Sequence, residues 1–300
     1  MELRILQYFL AVAREQSISA AAESLHLSQP TLSIQLKALE EELGKQLLIR
    51  GTKGSRKVLL TDEGMILRKR AEEILTLVQK AKSEVQMTDA SIAGDVYIGA
   101  GETDIIRYFA RAAKRMKKSC PDIRYHISSG NAQFVTEQLD KGLIDFGLMY
   151  GPVDRTKYEA LMLPIGDRFG VLMRRDDPLA QKEWISPEEL RDKPLILSAQ
   201  DRSEGWTVSS QIRQDVSRLN VAATYNLIFN ASLMVEEGLG YAVCLDKLIN
   251  TSGDSQLCFL PLRPEIVITP SIVWKRYQVF SKASERFLQE LTSVMDLPQK

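Results

Sequence analysis

The stretch ISAAAESLHLSQPTLSIQLKALEEELG, residues 18–44, predicts two helices joined by a tight turn. Ser17 or Ser19 can cap the first helix, which is expected to run to about His26. Ser28 can cap the second helix, and the proline two residues later fits its first turn, where a missing N–H leaves no hydrogen bond unmade. Both helix starts are therefore encoded locally.

The second helix is amphipathic and is expected to end at Gly44. Its apolar stripe consists of Leu32, Leu36, Leu39 and Leu43. Small residues at positions 20–22 of the first helix allow a neighbouring helix to cross closely, such as the one predicted to end near Glu15. Two helices joined by a tight turn, the second polar at its start, are typical of a helix-turn-helix.

In a helix-turn-helix, the first residues of the second helix enter the major groove of DNA. Glutamine can form two hydrogen bonds to adenine, whereas threonine and proline can contact thymine methyl groups. The predicted DNA-binding side chains of this helix are Ser28, Gln29, Pro30, Thr31, Ser33 and Gln35. From helix spacing alone, the same short polar side chains could equally cap and solvate a helix start.

A basic segment without acidic residues, KQLLIRGTKGSRKVLLT, follows at residues 45–61. Two apolar runs flank a glycine-containing tip, which predicts a hairpin. A basic hairpin beside a helix-turn-helix is typical of a wing, which holds phosphates or the minor groove and adds salt-dependent affinity. The side chains predicted to do so are Arg50, Lys53 and Arg56, with Lys37 from the preceding helix. A charge run is more often a solvated loop, but its position beside the helices favours DNA.

The segment SISAAAESLHLSQPTLSIQLKALEEELGKQLLIR, followed by LLTDEG, resembles the N-terminal region of the LysR-type transcriptional regulators. The resemblance spans roughly residues 3–64 and is far more specific than a generic helix-turn-helix. It implies a transcription factor that binds promoter DNA as a dimer or a dimer of dimers. Ile34 stands where the family often has Arg or another polar residue, which weakens a base-specific role there. The wing between Arg50 and Thr61 is also somewhat longer than usual.

Thr61 predicts the start of a long helix, with Asp62 and Glu63 in the first turn. Six apolar residues then recur at steps of three and four, as in a heptad seam: Leu67, Ala71, Ile74, Val78, Ala81 and Val85. A helix buried within a monomer could give a similar stripe, but the other faces of this helix are too polar to be buried all round. A seam between two chains is therefore predicted, as the resemblance also implies, and with it a partly palindromic DNA site.

From residue 94, short β-rich runs alternate with helical segments, which predicts a mostly parallel sheet covered by helices. The strand DVYIGA, residues 95–100, and the helix DIIRYFARAAKRMKKS, residues 104–119, begin the pattern. A second set includes helices around ISPEEL, residues 185–190, and at TVSSQIRQDVSRLN, residues 207–220. The last strand and helix are expected to return to the first set.

Two α/β lobes of this kind resemble the type 2 periplasmic-binding-protein fold, which the LysR family uses as its effector-binding half. The expected fold class is α/β with an all-α, winged helix-turn-helix head. The expected division is a head at residues 1–60, a linker helix and hinge at 61–93, and an effector-binding domain at 94–300, with lobe I at about 94–163 plus 269–300 and lobe II at about 164–268.

In open α/β sheets a ligand binds beyond the carboxyl ends of the strands. The effector-binding candidates by that rule are Gly101, Glu102, Thr103, Ser128, Ser129, Gly130, Asn131, Ser198, Gln200, Asn226 and Asn230. Thr103 matches a position where the family often offers a hydroxyl and a helix start to a carboxylate effector. Ala132 replaces the Ser or Thr common at a second such position, which argues against a simple carboxylate clamp. Glu102 would repel an anion unless it is paired, and it is expected to cap the helix that follows it. Each candidate taken singly is more often a structural turn or cap than a ligand contact.

Composition limits the remaining possibilities. With 300 residues, 44% hydrophobic and 26% charged side chains and zero net charge, the chain is globular, with two or three domains expected. Three separated cysteines and two histidines predict no metal site, and no cofactor is expected. No apolar run approaches the ~20 residues of a membrane span. The N-terminus lacks a signal-peptide pattern, so a cytoplasmic protein without a membrane partner is expected.

An enzyme is not expected. The segment GAGETD, residues 99–104, follows a predicted strand but has Asp104 in place of the third glycine of a nucleotide-binding motif. No GxSxG motif occurs, and neither histidine has a credible set of catalytic partners. The competing hypothesis is a solute-binding protein with helical decoration at its N-terminus. The wing and the heptad seam favour a transcriptional regulator modulated by a small-molecule effector.

Overall fold

The computed structural model describes most of the chain, namely residues 1–51, 57–85, 92–199 and 219–295. The chain forms two compact units, Met1–Gln86 and Met87–Lys300, and each unit has hydrophobic core clusters of its own. Among the helices in the described ranges, none combines the length and the apolarity needed to span a bilayer.

Three helices pack around the core of the first unit. They are α1 (Leu3–Glu15), α2 (Ile18–Ser24) and α3 (Gln29–Leu43). Ser17 Oγ accepts the N–H of Ala20 at 3.3 Å, and Ser28 Oγ accepts the N–H of Thr31 at 3.2 Å. These bonds satisfy backbone donors that a helix start leaves without partners, and they confirm both predicted caps.

The turns before and after α2 both use left-handed backbone. Gln16 (φ 50°) ends α1, and His26 (φ 54°) lies between α2 and α3. This conformation costs a residue other than glycine about 1–2 kcal/mol, so the packing of the helices must hold it. Ala21 and Ala22 are buried, which allows α1 and α2 to cross closely as the small side chains predict.

The predicted hairpin is present as β1 (Leu48–Arg50) and β2 (Val58–Leu60), two antiparallel strands whose tip lies outside the described residues. The N–H of Val58 donates to the carbonyl oxygen of Gln16 at 2.8 Å. The hairpin is therefore bonded directly to the turn between α1 and α2.

The apolar stripe of α3 is shorter than predicted. Leu32, Leu36 and Leu39 are buried, but Leu43 is 41% exposed. The chain reverses at Gly44 (φ 63°), and the buried side chains of the following segment, Leu47 and Leu48, fill the core instead. The prediction for Leu43 was wrong because residue spacing does not show that the following segment turns into the core and leaves Leu43 outside it.

The long helix α4 (Asp62–Val85) begins as predicted, since Thr61 Oγ1 accepts the N–H of Gly64 at 3.0 Å. The predicted seam divides into two parts. Ala71 is fully buried, and Leu67 packs against the core of the first unit, because α1 lies against α4. Ala81 and Val85 near the end of the helix are exposed. The beginning of the seam therefore serves the fold of its own chain.

The first sheet of the second unit has the strand order β4-β3-β5-β13-β6. Its strands are β3 (Gly94–Ala100), β4 (Ile123–Ser129), β5 (Phe146–Met149), β6 (Tyr158–Met162) and β13 (Ser271–Lys275). Strands β3, β4 and β5 are parallel, whereas β13 is antiparallel to its neighbours. The helices α5 (Ile106–Met116), α6 (Ala132–Asp140) and the C-terminal α8 (Lys282–Met295) contact this sheet.

The second sheet has the order β11-β7-β10-β8-β9, with β12 paired to β7. Its strands are β7 (Asp167–Arg174), β8 (Leu195–Ser198), β9 (Val221–Tyr225), β10 (Tyr241–Leu245), β11 (Leu257–Pro261) and β12 (Val267–Ile268). The helix α7 (Ile228–Glu236) packs on it. After this lobe the chain returns to the first sheet, where β13 is a strand and α8 packs against the same core. This confirms the prediction that the last strand and helix return to the first set of elements.

Two predicted helices differ. The segment around ISPEEL forms only a short 3₁₀ turn, Pro187–Leu190, in which Pro187 and Leu190 are buried. Its capping box lies at Ser186, where the N–H of that residue donates to Glu189 at 3.0 Å. The helix predicted at TVSSQIRQDVSRLN lies almost wholly outside the described residues.

The left-handed turn at Gln16 yields a test of the head. We expect Gln16→Gly to stabilise α1 by about 0.5–1 kcal/mol, because glycine removes the left-handed strain at a smaller entropic cost. Amide hydrogen exchange in α1 should become slower. As the matched control, Gln79→Gly lies inside α4 and should speed exchange there, since a glycine inside a helix costs up to about 1 kcal/mol. Faster exchange in α1 of Gln16→Gly would contradict the prediction.

Candidate nucleic-acid interface and ligand cleft

The polar side chains at the start of α3 bond to one another. The hydroxyl oxygens of Ser28 and Thr31 lie 2.7 Å apart, and Gln29 Nε2 donates to Ser33 Oγ at 3.1 Å. Ser28, Gln29 and Thr31 are exposed, whereas Ser33 is partly buried. The hydrogen-bonding groups predicted to meet bases are thus accessible but already engaged within the helix.

The outer face of α3 is more apolar than its sequence first suggests. Pro30 is exposed, and the side chain of Ile34 is 66% exposed, which is high for a branched apolar residue. Gln35 is only partly buried. Lys37 pairs with Glu41 at 3.5 Å, but both side chains are well exposed, so this pair stabilises little and can be exchanged for another anion.

Glu40 fastens the wing to α3. Its Oε1 accepts the N–H of Leu47 at 2.7 Å and of Leu48 at 3.0 Å, and its Oε2 lies 3.6 Å from the guanidinium of Arg50. Arg50 is 45% exposed and Glu40 only 15% exposed. Arg50, predicted to hold phosphate, is therefore also an internal partner, and the predicted Lys53 and Arg56 lie outside the described residues.

In the second unit, the turn after β3 reaches the other lobe. The carboxylate of Glu102 accepts the N–H of Ile228, the first residue of α7. The expectation that Glu102 caps the helix following it was therefore wrong: the carboxylate caps a helix of the other lobe. A carboxylate at a helix N-terminus is favoured by the unpaired N–H groups and the dipole there.

Thr103 is buried and makes two hydrogen bonds. Its hydroxyl donates to the carboxylate of Asp167 at 2.5 Å and accepts the N–H of Ile105 at 3.0 Å. The hydroxyl of Tyr150 donates to the same carboxylate oxygen. Asp167 is the first residue of β7, so this cluster joins the ends of β3 and β5 to the start of the second sheet.

Burial controls the electrostatics of this cluster. It raises the pKa of Asp167, and the hydrogen bonds from Thr103 and Tyr150 oppose that rise only in part. The pKa of Tyr150 is also raised, first by burial and then by the nearby carboxylate. The tyrosine therefore acts as a donor. Neither Tyr150 nor Asp167 was predicted from the sequence. Tyr150 follows the carboxyl end of β5, so the rule that singled out residues after β3 and β4 would also have found it.

The other predicted effector-binding residues are scattered around the ends of the strands. Asn131 caps α6 by accepting the N–H of Phe134 at 2.9 Å, and the N–H of Gly130 donates to the carbonyl oxygen of Ala100 at 3.0 Å. The others lie at strand ends or near helix starts: Gly101, Ser128, Ser129, Ser198, Asn226 and Asn230. Gln200 lies outside the described residues.

Cavities lined by described residues open in the second unit. One, of about 410 Å³, lies at the carboxyl end of β10 and is lined by Asp246, Lys247 and Asn250, with Arg107 from the other lobe. A wider groove of about 670 Å³ follows α6 and includes Tyr150. None of the predicted effector-binding residues lines either cavity. Across the described ranges, no three His, Cys, Asp or Glu side chains group as metal ligands would.

Comparison with known families accounts for most of the chain. Residues 3–65 match the model described as bacterial regulatory helix-turn-helix protein, lysR family, and residues 89–296 match the LysR substrate binding domain. The chain belongs to the LysR family of transcriptional regulators. It is a DNA-binding regulator with an effector-binding domain, and both matched domains are those of regulators and not of enzymes.

Individual relatives agree with this assignment. The HTH-type transcriptional regulator BsdA of Bacillus subtilis (strain 168) is 27% identical over 300 residues, which cover 96% of this chain and 99% of that protein. AlsR of the same organism is 34% identical over 208 residues, which cover 69% of this chain and 66% of that protein. The crystal structure of full-length CbnR complexed with its target DNA has the same fold, with a TM-score of 0.75 at 20% identity over 98% of this chain and 100% of that chain.

The buried carboxylate predicts a pH dependence of this LysR-family chain. Because the folded pKa of Asp167 is raised, the stability that its proton provides is present at low pH and is lost as the pH rises through the folded pKa. Asp167→Asn has no such proton. We therefore expect the free energy of unfolding of the variant, relative to the unaltered chain, to increase as the pH rises above about 4, near the ordinary pKa of aspartate.

Urea denaturation of the full chain at a series of pH values measures this difference. Asp154→Asn is the matched control, because hydrogen bonds from Thr156 lower the pKa of Asp154. Its relative stability should move in the opposite direction over a lower pH range, falling as the pH rises toward about 4 and staying flat above it. A flat difference for Asp167→Asn would contradict the prediction.

Proposed function

We propose that this LysR-family regulator reads promoter DNA through the start of α3. The carrying observation is that Gln29, Pro30 and Thr31 are exposed together on the first turn of a helix capped by Ser28. A helix start of this kind fits the major groove, where Gln29 can bond adenine after releasing Ser33. Ser33 and Gln35 complete the proposed set from the adjoining turn.

The wing and α3 together supply the phosphate contacts. The proposed contacts are Arg50, Lys53, Arg56 and Lys37. Arg50 can turn to a phosphate without undoing the wing, since Glu40 retains its two backbone N–H bonds through its other oxygen. Such contacts add affinity that falls steeply with salt but carry no sequence information. Because its target is the bacterial chromosome, we also propose a cytoplasmic location.

The first experiment measures fluorescence anisotropy of a labelled fragment from the region upstream of the protein's own gene, across a salt series. We expect the unaltered chain to prefer this fragment over random DNA, with affinity falling steeply as salt rises. Gln29→Ala should reduce the preference by roughly tenfold, the value of one bidentate base contact, with a similar salt slope.

Gln79→Ala removes the same side chain from the exposed face of α4 and should leave the preference unchanged. Equal loss in both variants would assign the effect to general destabilisation. Binding that is indifferent to sequence in the unaltered chain would remove the support for base reading by α3.

We propose that two chains associate through α4, which gives a dimer or a dimer of two dimers. The proposed contacts with the second chain are Ile74, Val78, Ala81 and Val85. The exposure of Ala81 and Val85 supports contact with a second chain in the last turns. Leu67 and Ala71 hold α4 in place within its own chain, because they are packed where α1 contacts α4.

We propose that the chain divides into a head at 1–60, a linker at 61–93 and an effector-binding domain at 94–300.

Ala81→Asp tests this seam. A carboxylate placed in an apolar seam would be buried without a partner, so we expect the dimer to dissociate at least tenfold more readily. Light scattering after size-exclusion chromatography measures the mass over a dilution series, with 33.8 kDa for one chain. Gln79→Asp makes the same change of charge two residues away, on an exposed position outside the seam. Equal masses for both variants at every dilution would contradict the proposal.

We propose further that a small-molecule effector binds between the lobes, near the turn after β3. Glu102 and Thr103 each form a hydrogen bond to the second lobe. These bonds support this location, because a ligand that binds here would break or keep them and so alter the contact between the lobes. Coupling to DNA requires that the effector favour one assembly over another. Footprints on the upstream fragment with and without a saturating effector test it, and identical spacing and bending in both would count against the coupling.

A further inference from the structure

Ile34 is an exposed apolar side chain in the middle of α3. It is 66% exposed, whereas Leu32 and Leu36 on the opposite side of the helix are almost fully buried. Single exposed apolar residues are common on protein surfaces, so exposure alone decides nothing. The surroundings of Ile34 are more informative.

Residues four apart on a helix lie in one row along its surface. Pro30, Ile34 and Ala38 form such a row, and all three are exposed. The neighbouring polar groups are occupied, since Gln29 bonds to Ser33, and Thr31 bonds to Ser28 through its hydroxyl. The row therefore presents methyl and methylene groups with no hydrogen-bonding function of its own.

The major groove offers one apolar group on its base edges, the C5 methyl of thymine. We propose that Ile34 is a specificity-determining residue of this regulator that reads a thymine methyl group. The proposal rests on the proposed entry of α3 into the major groove. DNA is the partner that fits, because Ile34 continues the exposed face formed by Pro30 and Thr31, and Lys37 follows one turn later, where a phosphate can meet it.

The consequence is a particular kind of sequence preference. An arginine at this place would bond guanine through two hydrogen bonds, whereas isoleucine cannot bond any base edge and gains only from a methyl group. The sequence led us to expect a weakened base-specific role at Ile34. Under this proposal Ile34 keeps such a role, but through apolar contact with a thymine methyl group and not through hydrogen bonds.

Replacing thymine by uracil removes this methyl group and leaves base pairing unchanged. The probe is the labelled upstream fragment, amplified once with thymidine and once with deoxyuridine triphosphate. We expect the unaltered full-length chain to bind the uracil fragment more weakly by roughly fourfold for each methyl group buried. Ile34→Ala should show a smaller ratio between the two fragments, and Ile34→Val an intermediate one.

Ile66→Ala is the matched control, since Ile66 is 65% exposed on α4. It should leave the thymine-to-uracil ratio unchanged even if total affinity alters. The same ratio in Ile34→Ala and the unaltered chain would overturn the proposal, because any methyl reading would then belong to other residues. If the unaltered chain does not prefer the fragment over random DNA, both base reading by α3 and this proposal are overturned. That outcome differs from an equal thymine-to-uracil ratio in the two proteins, which overturns the role of Ile34 alone.

Discussion

The carboxylate of Glu40 is the interaction on which the geometry of the head depends. It is largely buried at the back of α3, where it accepts two consecutive backbone N–H groups at the start of β1 and faces Arg50. A carboxylate that accepts backbone donors forms stronger hydrogen bonds than a neutral group does. One side chain of the recognition helix thus sets where the wing begins. The start of β1 is consequently fixed against α3, the two elements through which we propose that the head contacts DNA.

This arrangement explains which features could be predicted from the sequence. The starts of α2 and α3 are encoded by Ser17 and Ser28, because a cap needs only a side chain and a backbone N–H three residues away. The stop at Gly44 is equally local. Leu43 was placed wrongly because its environment depends on the returning chain. Sequence spacing describes a helix well but not the neighbour that covers it.

The cleft was harder to predict for the same reason. The tie from Glu102 reaches Ile228, 126 residues away, and that from Thr103 reaches Asp167, 64 residues away. The carboxyl-end rule located the right turn, which is why Glu102 and Thr103 were singled out. It could not supply their partners, since these depend on how the lobes meet. Roles of the other predicted effector-binding residues stay predictions.

These two ties also constrain the chemistry of a ligand. The Thr103 hydroxyl, which was expected to receive a carboxylate, already donates to Asp167, and the N-terminus of α7 already binds Glu102. A carboxylate ligand would have to displace Glu102 or Asp167 and leave that group to find other partners. Because an unpaired buried charge is costly, such a ligand would need further contacts to compensate. A simple carboxylate clamp is therefore unfavourable at this turn, as it is at Ala132, which replaces a Ser or Thr common in the family.

The head is fastened to the first turn of α4. Thr61, which caps α4, donates through its hydroxyl to the carbonyl oxygen of Gln46 at 2.7 Å and through its N–H to that of Leu47 at 3.0 Å. At Gly64, a Cβ would lie 2.2 Å from the carbonyl oxygen of Leu47, so glycine is required for this approach. The wing and α3 are therefore held against the first turn of α4. If two α4 helices pair as we propose, a change in that pairing would move the start of the wing together with the helix.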